Sequence, residues 1–221
     1  MKKHIVIGVV LAALSVTPAW SMSVVEFSPD PSTSGNWSYN GFTRVLSFDQ
    51  DIVVDKAVSS TSDALVNASV YMPSFYVSGS GGNYTLTPLG SPQVKVTDGS
   101  GSVNYLTGDL GLGDLTTIGT VAGGYTTFQS DLTNVVVTGD GIALNSGALD
   151  LLSFLGTDSL DFELSLQGGS GTGYSTFAQM IDGGYSSTGG FSGAMSVPEP
   201  IMVVLLGLGS MALLRRRKQL V

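Results

Sequence analysis

Apolar and polar positions alternate without a break in SLDFELSLQ, residues 159–167. Leu160, Phe162, Leu164 and Leu166 fall on one side of an extended backbone, and Asp161, Glu163, Ser165 and Gln167 on the other. Strict period two is the pattern of a half-buried antiparallel strand. Shorter runs rich in β-branched and aromatic residues predict further strands at Val45 to Phe48, Leu65 to Tyr71, Val94 to Val96, near Tyr125, and at Val135 to Val137. Glycine clusters lie between them: GSGG, DGSGS, TGDLGLGD, VAGGY, TGDG, QGGSGTG and DGGYSSTGG. They read as turns. NSGALDLLSFLG predicts one short helix, capped by Ser146 and stopped by Gly156. The whole predicts an all-β fold, a single antiparallel, jelly-roll-like β-sandwich over residues 22–182. A flexible Gly/Ser-rich tether would follow over 183–196, where the text is GGYSSTGGFSGAMS. No repeat stands out at a period of 20 to 50 residues.

The hydropathy pattern changes at both ends. Lys2 and Lys3 precede an apolar run from Ile5 to Leu14, followed by Pro18 and a small-x-small site, Ala19-Trp20-Ser21. This is the layout of a secretory signal peptide, residues 1–21, with cleavage by signal peptidase between Ser21 and Met22. At the other end Ile201 to Leu214 carry no charge, and Arg215, Arg216, Arg217 and Lys218 follow. As a helix the apolar run would cover about 21 Å, short of the ~30 Å hydrocarbon core. Snorkelling arginine stems would make up part of the difference, so 201–214 is read as a short transmembrane helix held by a cytoplasmic basic cluster.

Val197-Pro198-Glu199-Pro200 stands just before that run. Neither proline has an amide hydrogen, and each pushes its predecessor toward extended geometry. An extended, exposed tetrapeptide is what a protease groove accepts. The order V-P-E-P, short apolar segment, R-R-R-K resembles the PEP-CTERM sorting signal, here residues 197–221. The resemblance implies recognition by an exosortase, a membrane transpeptidase, and removal of the tail near Pro198, Glu199 and Pro200. It also implies export to the cell surface or beyond after transient anchoring in the inner membrane. Members of that family are typically surface proteins of biofilm-forming bacteria with exopolysaccharide systems.

Charge sharpens the picture of the body. All 17 acidic residues lie between Glu26 and Glu199, where the only cations are Arg44, Lys56 and Lys95. Such a surface repels phosphate backbones, so nucleic acid is not an expected partner. The one histidine, His4, lies in the leader, and there is no cysteine. Histidine triads, thiol catalysis and the common zinc, copper and haem sites are therefore excluded from the processed chain. Gly108 to Gly113, GDLGLG, lacks both the strand-to-helix context and the Gly-Lys-Ser/Thr ending of a phosphate loop, and is read as turn.

Carboxylate chemistry remains. Asp161 and Glu163 share one strand face, at a spacing of about 6.8 Å, which a glycosidase pair could use. Only Trp37 would remain to line a sugar cleft. Calcium takes carboxylate and carbonyl oxygens without histidine. Asp49, Asp51 and Asp55 are candidate ligands, as are Asp109 and Asp114, although neither group fits an EF-hand loop. The reading that follows is a non-enzymatic, exported surface or matrix protein with a structural or adhesive role. The alternatives are a calcium-assisted, lectin-like module for exopolysaccharide and a carboxylate-only glycan hydrolase.

Overall fold

A computed structural model describes residues 22–31, 36–49, 51–58, 60–118, 125–156, 158–168 and 173–198. Residues Ser23–Pro198 form one compact unit. The expected leader over 1–21, together with Glu199, Pro200, the apolar run expected to be a transmembrane helix and the basic cluster, lies outside the described residues. No described helix is long and apolar enough to cross a membrane.

The described residues form twelve strands and three short helices. The strands are β1 (Met22–Pro29), β2 (Trp37–Asn40), β3 (Val45–Phe48), β4 (Ile52–Ala57), β5 (Ser69–Tyr71), β6 (Phe75–Ser80), β7 (Asn83–Pro88), β8 (Gln93–Thr97), β9 (Asn104–Ile118), β10 (Tyr125–Val137), β11 (Ser159–Gln167) and β12 (Ser187–Val197). The helices are α1 (Gly139–Ala143), α2 (Gly147–Leu155) and α3 (Phe177–Asp182).

All twelve strands belong to one sheet, ordered β1-β4-β5-β8-β9-β10-β11-β12-β2-β3-β6-β7, with further pairings β1–β12 and β9–β7. Those two extra pairings close the network twice. One ring runs β1-β4-β5-β8 and back through the long strands β9 to β12. The other runs β2-β3-β6-β7 and back through the same four. Each edge of the β9–β12 wall therefore serves two short strands at different heights: β8 pairs with Asn104 to Asp109, and β7 with Gly113 to Leu115. Full closure of this kind removes exposed sheet edges. The fold is antiparallel and mostly β, as expected. Its ladders form one continuous network rather than the two separate sheets of a jelly-roll-like sandwich.

The core follows the alternation. Leu160, Phe162, Leu164 and Leu166 of β11 are buried, and Glu163 and Gln167 are exposed. Ring contacts run from Phe27 to Phe162, Phe128, Phe75, Phe48 and Phe191, with centroids 5.0 to 6.3 Å apart. They tie β1, β11, β10, β6, β3 and β12 into one interior. Each such contact adds about 0.5–1.5 kcal/mol to the burial of the rings themselves. Helix α2 begins and ends where its caps dictate. Ser146 Oγ accepts from Leu149 N at 3.3 Å, Asp63 Oδ2 accepts from Ala148 N at 3.3 Å, and Gly156 adopts φ 58°.

Several expectations need correction. TGDLGLGD is not a turn but the interior of the 15-residue strand β9. Between Leu110 and Gly113 the strand gains a residue relative to β10, where Leu132 and Ser130 are the partners. This bulge turns Leu112 outward, and it is exposed. A second irregularity in β10, between Thr133 and Val136, restores the register, with Asn134 at φ 52°. Gly113 is required because a Cβ there would lie 2.3 Å from both the Gln129 carbonyl oxygen and the Phe128 ring. The runs near Tyr125 and Val135 are one strand, β10. Of the run Leu65 to Tyr71 only Ser69–Tyr71 is strand, because Asn67 takes φ 69° and the chain turns there.

A further correction concerns the tether. Within residues 183–196, Ser187 onward is β12, an interior strand between β11 on one side and β1 and β2 on the other. Its inward positions are Ser187, Gly189, Phe191, Gly193, Met195 and Val197. A Cβ on Gly193 would lie 2.3 Å from the Phe27 ring. Gly189 and Gly193 are required here because neighbours sit over the strand, the Gln167 carbonyl and Trp37 at the first and Phe27 at the second.

Candidate functional site

The segment that carries the sorting chemistry grows directly out of β12. Ser196 faces Asp161 in the β11 ladder, and Met195 faces Phe162. Met195 and Val197 are both fully buried, at 0 % exposure. Val197 is the first residue of the tetrapeptide expected to be exposed, and it is a core residue instead. Pro198 is half-buried and ends the strand. It has no amide hydrogen to donate to a ladder.

A family model of the PEP-CTERM protein-sorting motif matches residues 196–218. This chain carries a PEP-CTERM sorting motif. The match spans Ser196 to Lys218 and so includes the last two residues of β12. No curated protein and no solved structure matches the chain. The PEP-CTERM motif supports export and exosortase processing. Pro198 is described; Glu199, Pro200, Arg215, Arg216, Arg217 and Lys218 lie outside the described residues. At the other end Met22 opens β1, and Val24 and Val25 two and three residues later are fully buried.

The remaining candidates are dispersed. Among the described residues no three acidic, histidine or cysteine side chains are placed to hold a metal ion. Asp49 Oδ2 accepts from Asn36 N at 2.9 Å, and Asp49 N donates to the Asn36 carbonyl, so this side chain fastens the open end of the β2–β3 pair. Asp51 offers its backbone carbonyl to Asp30 N, and Asp55 lies within β4. Asp109 Oδ2 accepts from Asn134 Nδ2 at 2.9 Å, clamping the β10 irregularity. Asp114 sits beyond the β9 bulge, facing Gln129 and Thr85. Asp161 and Glu163 share the outer face of β11, opposite Asp131 and Gln129 of β10.

Two open grooves offer space, about 640 and 450 Å³, and no acidic side chain lines either. Ser38, Asn40, Thr43, Ser47 and Thr188 line the first. Gln93, Lys95, Asn104 and Tyr71 are among those lining the second. The acids that are engaged work as structural clamps. Asp98 accepts from Ser100 Oγ, Ser102 N and Val103 N, shaping the β8–β9 turn. Those bonds, the Ser100 hydroxyl first, hold its carboxyl below the usual range. Asp182 accepts from Tyr84 OH at 2.9 Å and Gly81 N at 3.0 Å, fastening the β6–β7 hairpin to α3. Burial, and then that bond to Asp182, pushes the Tyr84 hydroxyl up. Burial also raises Tyr39, against the pull of nearby Arg44.

The sequence reading missed these clamps and the strand character of β12. Its signal was present in STGGFSGAMSV: with glycine counted as a small inward residue, every second position is interior.

Proposed function

We propose that this chain is a non-enzymatic structural or adhesive component of the extracellular matrix, delivered by its PEP-CTERM motif. The motif at 196–218 carries the reading, because it ties the chain to exosortase handling at the membrane. The character of the domain supports the rest. Its sheet is closed and its core continuous. The processed chain has no histidine or cysteine, and no acid lines its described grooves. A glycan hydrolase needs two carboxylates facing one substrate bond. Asp161 and Glu163 lie outside both grooves. An acidic, hydroxyl-rich surface suits a hydrated polymer matrix better than a nucleic acid or an anionic membrane.

The test is fractionation of the producing cell with mass spectrometry of the mature protein. We expect the chain in the surface or matrix fraction, beginning at or near Met22 and ending near the Pro-Glu-Pro triplet. An exported chain that keeps Arg215 to Lys218 refutes exosortase processing. A correctly trimmed chain found wholly in the free medium refutes the matrix role.

A further inference from the structure

We propose that β12 gates the processing of this chain: the folded sheet holds the residues just upstream of Pro-Glu-Pro, and cleavage proceeds only when the end of β12 leaves its ladder. The inference rests on the exosortase reading of the PEP-CTERM motif.

A peptidase that takes an extended substrate pairs with its backbone N–H and C=O groups on both sides of the scissile bond. Upstream of the triplet those residues are Met195, Ser196 and Val197. In the fold Ser196 and Met195 are already paired with β11, at Asp161 and Phe162. Met195 and Val197 also have their side chains fully buried. Only Pro198, Glu199 and Pro200 separate Val197 from the apolar run. Among the described residues upstream of the triplet, the stretch expected to be a tether is itself β12 from Ser187 onward and supplies no free spacer. A strand end can open locally without global unfolding. When opening and closing are fast, cleavage follows the population of the open form. The stability of the last rungs of the ladder therefore sets the processing rate.

The test uses the full chain in cells that process it, followed by pulse-chase. One variant replaces Asp161 and Ser196 together by cysteine. The two residues face each other in an antiparallel ladder, with a Cα spacing of about 4.5–5.5 Å. That spacing suits a disulfide. The chain has no other cysteine to compete. We expect processing to slow at least tenfold while the bridge is closed and to recover when it is reduced. Reduction within the same variant separates the lock from any effect of changing Ser196 in the motif. A second variant, Met195→Ala, loosens the strand end outside the matched motif, and we expect processing at least threefold faster. Met72→Ala, buried beside β5, is the control for general destabilisation and should leave the rate unchanged.

Equal rates for the bridged and reduced forms overturn the proposal. So does an unchanged or slower rate for Met195→Ala, or an equal acceleration by Met72→Ala. If the unaltered chain is not processed at all, it is the exosortase reading that fails.

Discussion

Replacing Gly113 by alanine separates a strand glycine from a turn glycine. In a turn the new methyl would meet solvent. In β9 it would lie 2.3 Å from the carbonyl oxygen of Gln129 and 2.3 Å from the ring of Phe128, which is itself fully buried. The oxygen belongs to the neighbouring strand and cannot retreat without disturbing the ladder. The ring is held by Phe75 at 5.0 Å and Phe162 at 6.3 Å. Overpacking a closed core by one methyl costs about 1–3 kcal/mol, and contact with rigid backbone places this site near 3. Loss of glycine's freedom in the unfolded chain returns about 0.4–1 kcal/mol. The net cost is about 2 kcal/mol, and for a domain of this size each kcal/mol moves Tm by about 2–4 °C. Thermal melts of residues 22–198 should therefore show Gly113→Ala about 4–8 °C below the parent. Gly99→Ala is the control, since nothing lies within 4 Å of its Cβ position. It should melt within about 2 °C of the parent. Equal melting of the two variants would refute the placement of TGDLGLGD inside the sheet.

Three further outcomes can be measured on the same domain. Thr126 is fully buried and its hydroxyl has no partner; Thr126→Val should raise stability by about 1 kcal/mol in urea titration, and a loss would mean the hydroxyl is satisfied. Phe162→Ala should cost about 3–5 kcal/mol because it opens the ring chain between Phe27 and Phe128, whereas its exposed neighbour Glu163→Gln should change stability by no more than about 0.5 kcal/mol; similar effects would place the core on the wrong face of β11. Tyr84 ionises above its ordinary value of 10.0 in the fold. Its contribution is therefore complete below pH 10 and is lost as pH rises through the higher folded pKa, so Tyr84→Phe should flatten the alkaline limb of a stability–pH curve; an unchanged limb would show that its ionisation is not coupled to folding.

Much of this protein was legible in one dimension because the deciding physics is local. Period two in SLDFELSLQ places its own core residues. Ser146 and Gly156 bound α2 through bonds and dihedrals within a few residues of themselves. The PEP-CTERM motif reads directly, as prolines, an apolar run and a basic cluster in a set order. What the tertiary structure alone decided depends on partners far along the chain. Gly113 and Gly193 are strand residues because Phe128 and Phe27 occupy the space above them, and a glycine codon says nothing of its neighbour's volume. Paired irregularities in β9 and β10 break the alternation where the strands cross-register, so GDLGLG looks like a turn when read alone. STGGFSGAMSV resembles a tether until β11, β1 and β2 supply its hydrogen bonds. That pairing puts Val197, the first residue of the tetrapeptide, in the core.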